Sequence, residues 1–287
     1  MTQQTIPPFI CVYGNSGIGK TTDMGFAFPH ALFIASAGAT KSIISTCGYK
    51  PREIHLHTVA QATDVVQQMA EGTIEGNAIV IDDFSYMVEA SLSKMQEKYT
   101  GWTVYGKLRD EIFKFRRIAR ESGITVALNC WLAMPTVLED GSHKRGCPKL
   151  PSDYGENIPA MCDLVLRGDI YKKYKPHPYA YYADSSVEWV GKDRDGGTPS
   201  PAPMNLAEIL RLNGYEVPRL VDWQEEKVEN ISQMIEKEGT KIAKDIYAQL
   251  LEKLSDHPHL AYWTIRDALD RAILRKAKAN RWNTIKF

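Results

Sequence analysis

Eight consecutive residues near the start of this 287-residue chain, Gly14-Asn15-Ser16-Gly17-Ile18-Gly19-Lys20-Thr21, follow the pattern G-x-x-x-x-G-K-[ST] without a mismatch. Residues of these types at this spacing hold phosphate. Glycines let the backbone turn so that successive N–H groups converge on an anion, and a helix starting near Lys20 turns its positive end to the same charge. Lys20 would reach the β- and γ-phosphates of a nucleotide as a point charge. Thr21 would offer a hydroxyl to Mg²⁺, and Thr22 closes the binding stretch. Downstream, Ala78-Ile79-Val80-Ile81 is an unbroken apolar run ending in Asp82-Asp83. A carboxylate at the end of such a strand holds Mg²⁺ beside a phosphate loop, usually through water, and Asp82 is placed for that. Asp83 has two readings: the base that orients an attacking water, or the N-cap of a helix beginning at Phe84.

Positioning these groups requires strands that end together. Phe9–Tyr13, Ala31–Ala35, Glu53–Val59, Ala78–Ile81 and Ile124–Leu128 all read as strands, the fourth apolar throughout as in a sheet covered on both faces. Between them Leu108, Ile112, Phe115 and Ala119 recur at intervals of three and four, the stripe of an amphipathic helix. The expected fold is therefore α/β, a mainly parallel sheet flanked by helices. Residues 191–203, rich in Gly and Pro, read as loop followed by linker. Beyond them Val228, Ile231 and Ile235, then Ile242, Ile246 and Leu250, then Ile265, Leu269 and Ile273 keep helical spacing. The expected organisation is a core over 1–203 and a small helical region over 204–287.

Composition excludes several classes. Thirty-five Lys plus Arg balance thirty-five Asp plus Glu, so a nucleic-acid site must come from local clustering rather than net charge. The five cysteines form no CxxC pair and their number is odd, which argues against a disulfide framework and fits a reducing cytoplasm. His55-x-His57 and His257-x-His259 lack Cys or acidic partners at zinc-ligand spacing. The opening Met-Thr-Gln-Gln-Thr-Ile-Pro-Pro has neither a basic nor an apolar leader region, and no apolar run nears the ~20 residues of a membrane helix. A soluble cytoplasmic protein is expected.

With these motifs placed, residues 9–195 resemble the RecA-like P-loop ATPases, and within them the phage recombination ATPases of the Sak type that support single-strand annealing. The likeness rests on the phosphate loop, on Val80-Ile81-Asp82, and on Ile124-Thr125-Val126-Ala127-Leu128-Asn129, which is similar to the strand that ends in a γ-phosphate sensor. It also rests on Gly191-Lys192-Asp193-Arg194-Asp195-Gly196, which is similar to the Lys-x-Arg motif whose cations reach a neighbouring subunit's γ-phosphate. The resemblance implies Mg-ATP hydrolysis, slow without DNA, and a homo-oligomeric ring or filament on single-stranded DNA. A single-strand-binding or annealing partner protein and the cytoplasm of a phage-infected host follow from the same likeness. Asn129 would then be the sensor and Lys192 and Arg194 the fingers. Read without the family, Asn129 starts a turn and Lys-Asp-Arg is a charged surface turn. One departure stands out: where these enzymes end their second strand with a catalytic Glu, this chain has Phe33-Ile34-Ala35-Ser36-Ala37-Gly38. Either Asp83 substitutes, or the protein is a nucleotide-gated loader or scaffold with little turnover.

The family holds DNA on loops after the Mg²⁺ strand's helix and after the sensor strand. At the first position Lys98, Tyr99, Trp102 and Tyr105 interleave charge with stacking platforms; at the second, Lys144, Arg145 and Lys149 form a basic segment. Core aromatics and a solvated hairpin tip are the alternative readings of the same residues. The basic stretch from Arg266 to Lys286 has a solvated helix face as its default.

Overall fold

The computed structural model describes residues 6–174, 178–217, 225–256 and 258–284. The first five residues, His257 and Lys286 lie outside the described residues.

The elements run β1 (Phe9–Gly14), α1 (Lys20–Ala27), β2 (Leu32–Ile34), α2 (Lys41–Cys47), β3 (Arg52–Ile54), α3 (Val59–Ala70), β4 (Ala78–Asp82), α4 (Phe84–Gln96), α5 (Trp102–Glu121) and β5 (Thr125–Cys130). Short pieces follow: β6 (Leu132–Ala133), β7 (Thr136–Val137), β8 (His143–Lys144), β9 (Cys147–Pro148) and α6 (Tyr154–Asn157). The chain then returns to the sheet with β10 (Leu164–Ile170), β11 (Tyr179–Tyr182), β12 (Lys192–Asp193) and β13 (Ala202–Pro203), and ends in α7 (Leu206–Leu212), α8 (Glu225–Glu238), α9 (Thr240–Lys253) and α10 (Pro258–Thr284).

Among the described residues nine strands make one sheet, ordered β13-β11-β10-β1-β5-β4-β2-β3 with β12 on β10. The six strands from β10 to β3 run parallel, and β11, β12 and β13 add antiparallel pairs at one edge. The fold is α/β with a mostly parallel central sheet flanked by helices, as expected from the alternation of strand and helix patterns.

Alternation along β1 decides the two layers. Phe9, Cys11 and Tyr13 face one side, packing with Ile79, Ile81, Leu108, Ile112 and Phe115 under α3, α4 and α5. Ile10 and Val12 face the other, with Met24, Phe33, Val80, Leu166 and the α7 residues Leu206, Ile209 and Leu210. All six residues of β1 are buried, which is why it reads as an unbroken apolar run. A third cluster joins Val228, Ile231 and Ile235 of α8 to Leu250 of α9 and Ile265 and Leu269 of α10.

Two expected elements differ. The third strand spans only Arg52–Ile54, because Thr58 leaves it to cap α3: its side chain accepts from the Gln61 amide while Gln61 Oε1 takes the Thr58 amide at 3.1 Å. That reciprocal capping box stabilises a helix start by about 1 kcal/mol and overrides the alternating pattern. The stretch 191–203 supplies two short edge strands as well as loop. Asp193 closes the turn between them, accepting from the Asp195, Gly196 and Thr198 amides.

Candidate functional site

The strand order places the ends of β1, β5 and β4 side by side, with β5 in the middle. Val12 is in register with Asn129, and Asn129 with Asp82. Three residues far apart in sequence therefore line up near the carboxyl ends of their strands, the side on which open α/β sheets bind ligands.

The loop between β1 and α1 follows from its glycines. Gly14 lies opposite Gly168 of β10, and a Cβ on Gly14 would sit 2.6 Å from the Gly168 carbonyl oxygen and 2.6 Å from Ile18 Cδ1. Two facing glycines thus make a floor on which Ile18 packs. Gly17 and Gly19 hold φ of 82° and 95°, left-handed values that other residues adopt only with strain. They aim the turn into α1, whose first residue is Lys20.

Four side chains converge there. Lys20 Nζ donates to the Gly14 and Asn15 carbonyls at 2.9 Å each. Thr21 Oγ1 donates to Asp82 Oδ1 at 2.9 Å, and Asn129 Nδ2 donates to that same carboxylate oxygen and to Thr21 Oγ1 at 3.3 Å. Burial pushes the Asp82 carboxyl up, opposed by its bonds to Asn129 and Thr21 and by the Lys20 charge. Burial likewise lowers the Lys20 ammonium, with Asp82 drawing it back up. Each charge is costly in this site, and each only partly offsets the cost of the other.

The donor set fits Mg²⁺. A threonine hydroxyl and a carboxylate oxygen touching each other are hard oxygen ligands, and this ion takes few protein ligands, completing its shell with water and phosphate. Among the described residues no three His, Cys, Asp or Glu side chains come together to hold another metal.

Asp83 is the N-cap of α4: its side chain accepts from the Tyr86 amide at 3.0 Å, from a backbone at φ 77°, ψ 55°. A left-handed conformation is uncommon outside glycine and least costly for Asn and Asp, and strained residues of this kind concentrate at functional sites. Burial raises the Asp83 carboxyl, against the pull of the Tyr86 amide and a Trp131 hydrogen bond.

The remaining sequence candidates lie elsewhere. Lys192 and Arg194 belong to the β12 edge at the opposite end of β10, where Val165 pairs with both Lys192 and Cys11. Cys11 precedes Gly14 by three residues, so along the strand direction alone this edge lies roughly 10 Å back from their own phosphate loop, and it is two strand spacings to the side. There Lys192 Nζ donates to the Pro159 carbonyl and Arg194 pairs with buried Asp163 at 2.8 Å. Tyr99, Trp102 and Tyr105 line an open cleft of about 470 Å³ with Gln96, Thr100 and Val104, and Trp102 is 87% exposed. Lys98 directly precedes that cleft and is exposed. Lys144 is exposed on β8 and Arg145 pairs with Glu156 at 3.8 Å, while Lys149 Nζ stands 5.3 Å from the centre of the Trp131 ring.

Two features escaped sequence reasoning. Trp131, half-exposed one residue past β5, is held by its amide to Ser85 Oγ at 3.0 Å. Asp23, on the inner face of α1, is 2% exposed; burial raises its carboxyl, opposed first by Arg266. No motif flags Asp23, whose partners are more than 150 residues away.

A family model described as an AAA domain matches residues 7–195. Solved structures similar to the chain include a KaiC-like protein from the hyperthermophilic archaeon Pyrococcus horikoshii, 15% identical, over 63% of this chain and 86% of that one, with a TM-score of 0.40. They also include a RadB recombinase, 15% identical, over 65% and 92%, with a TM-score of 0.37. A search of curated proteins finds no match.

Proposed function

The chain belongs to the AAA domain family, and on that premise we propose that it is a RecA-like, Mg²⁺-dependent ATPase acting in phage DNA recombination or single-strand annealing, as an oligomer on single-stranded DNA. The observation that carries the nucleotide-site part of the reading is the contact cluster of Thr21, Asp82 and Asn129 at the end of adjacent strands, with Lys20 on the carbonyls of the adjoining loop.

In this reading the Gly14–Thr22 stretch holds the nucleotide and Lys20 transfers its hydrogen bonds from the Gly14 and Asn15 carbonyls to the β- and γ-phosphates. Thr21 and Asp82 hold Mg²⁺, which when bound neutralises charge on the phosphates. Asn129, within reach of both, senses the γ-phosphate, and Asp83 orients the attacking water. Lys192 and Arg194 serve a neighbouring subunit's nucleotide by exchanging their present partners at the interface. Tyr99, Trp102 and Tyr105 stack DNA bases, while Lys98, Lys144, Arg145 and Lys149 neutralise its phosphates. Residues 1–203 form the motor and 204–287 a helical appendage, in a host-cell cytoplasm where an annealing partner protein acts with it. Among the described residues no helix is long and apolar enough to cross a membrane.

Titrating a fluorescent ATP analogue tests the site directly: wild type binds with Mg²⁺ and Thr21→Ala loses the Mg²⁺ enhancement. Equal binding by both with and without Mg²⁺ rejects the assignment. Asp83→Asn separates cap from base, because asparagine caps helices and tolerates a left-handed backbone as aspartate does. Turnover should fall by roughly 10²-fold at unchanged Tm; turnover at the wild-type rate makes Asp83 a cap alone. For the DNA cleft, Trp102→Ala should weaken single-strand binding roughly tenfold, within the 1–3 kcal/mol of one stacked base. Unchanged affinity in a fluorescence-anisotropy titration removes Trp102 from the interface.

A second reading has one observation in its favour. Beyond β2 the chain continues Ala35-Ser36 without a carboxylate, and the Ala35 carbonyl meets His55 Nδ1 at 2.7 Å. A nucleotide-gated loader or scaffold with little turnover needs no acid there.

A further inference from the structure

The helix that carries Lys20 and Thr21 is fastened at Asp23, and the fastening comes from the far end of the chain. The Asp23 carboxylate accepts from the Tyr181 hydroxyl of β11 at 2.8 Å and from the Leu206 amide at the start of α7 at 3.0 Å, both on Oδ2. The positive charge of Arg266 of α10 opposes the rise that burial imposes on the Asp23 carboxyl, and Arg266 donates to the Met204 carbonyl, two residues before the Leu206 amide that Asp23 holds. Arg266 is itself fixed on two further sides: its guanidinium lies 4.6 Å from the centre of the Trp263 ring, and its Nε is 3.7 Å from Asp270. Trp263 in turn stacks on Phe26 of α1 and donates to the Thr46 carbonyl at 3.0 Å. Two routes therefore join α10 to the phosphate-loop helix, one direct through the stacked rings of Trp263 and Phe26 and one from Arg266 through the 204–206 segment to Asp23.

We propose that Asp23 and Arg266 are positioning residues for the nucleotide site: α10 sets the orientation of α1, and so of Lys20 and Thr21, and nucleotide binding is felt in α10 through the same pair. The inference rests on the nucleotide-binding reading above. Its physical ground is that a buried carboxylate two residues beyond Thr21 must keep its donors, so α1 cannot tilt without moving Tyr181, α7 and α10 together. Coupling between two sites is reciprocal, so whatever α10 does for nucleotide affinity, nucleotide does for the stability of α10.

The test uses the full-length protein with Arg266→Gln, Arg266→Lys and Asp23→Asn, a fluorescent ATP analogue with Mg²⁺, and hydrogen exchange of the 260–274 segment. Arg266→Gln should weaken nucleotide binding at least fivefold, the lower range for a coupled pair, and raise KM for ATP more than it lowers kcat. Arg266→Lys, which keeps the charge, should recover most of the affinity. In the wild type nucleotide should slow exchange in 260–274, and in Arg266→Gln saturating nucleotide should no longer do so. If Asp23→Asn fails to fold, the two Arg266 variants carry the test. Wild-type nucleotide binding with no change in exchange of 260–274, or wild-type affinity in Arg266→Gln, overturns this inference alone. Absence of nucleotide binding by the wild type overturns the reading of the site, and the inference with it.

Discussion

Replacing Lys20 with alanine should lower ATP turnover by roughly 10²- to 10³-fold while the protein stays folded. The magnitude is that of removing one preorganised donor from a site where charge builds on the reacting oxygens. Geometry supports it, since the ammonium lies within the loop on the Gly14 and Asn15 carbonyls and is 8% exposed. The sign of the stability effect follows from the same burial. The fold lowers the Lys20 pKa, so it disfavours the charged form relative to the unfolded chain. The charged form is thus penalised below the lowered value and the penalty is relieved as pH rises through it, so removing the charge does not by itself unfold the protein. Phosphate release and a thermal melt read both effects. Arginine does not rescue, because a planar guanidinium cannot replace a compact ammonium inside the loop. Turnover within threefold of wild type in Lys20→Ala contradicts the assignment.

Asp82→Asn should give the second large effect, a loss of Mg²⁺ affinity of roughly 10- to 100-fold, as for residues that hold a metal through water or orient its ligands. Asparagine keeps the volume and one acceptor for Thr21 Oγ1 but removes the charge that would pair with the ion. Burial raises the Asp82 carboxyl, so the fold binds its proton more tightly than the unfolded chain does. The ionised carboxylate therefore works against stability as pH rises through that raised value. Without Mg²⁺ at neutral pH, Asp82→Asn should melt at or above the wild-type temperature. A Mg²⁺ titration of turnover, with melts in chelator, checks both halves. An unchanged Mg²⁺ dependence removes Asp82 from the metal's neighbourhood.

The parts of the site legible in the sequence are those built from local pattern. Gly14–Thr21 prescribes its own turn, and the apolar run into Asp82 prescribes a strand with a carboxylate at its end. Three apolar strands and the stripe Leu108, Ile112, Phe115 and Ala119 were equally legible, because burial on a sheet or helix face writes a period into the residues. What could not be read depends on partners distant in sequence. Gly168 forms the floor of the phosphate loop only because β10 lies beside β1, and nothing around it signals that. The Thr58 cap was hidden because its alternation with Ile54 and Leu56 suited a strand until Gln61 was counted. The Lys192-Asp193-Arg194 tripeptide is legible as a pair of cations, but not that Pro159 and Asp163 engage both of them. Asp23 looked like an ordinary helix residue, since its hydrogen bonds reach β11 and α7.

The most direct test of the account is phosphate release from ATP by the wild-type protein, with and without single-stranded DNA. The account expects Mg²⁺-dependent release that rises when DNA is added. ATP binding with negligible release, indifferent to DNA, contradicts it and leaves the nucleotide-gated scaffold as the function of the site.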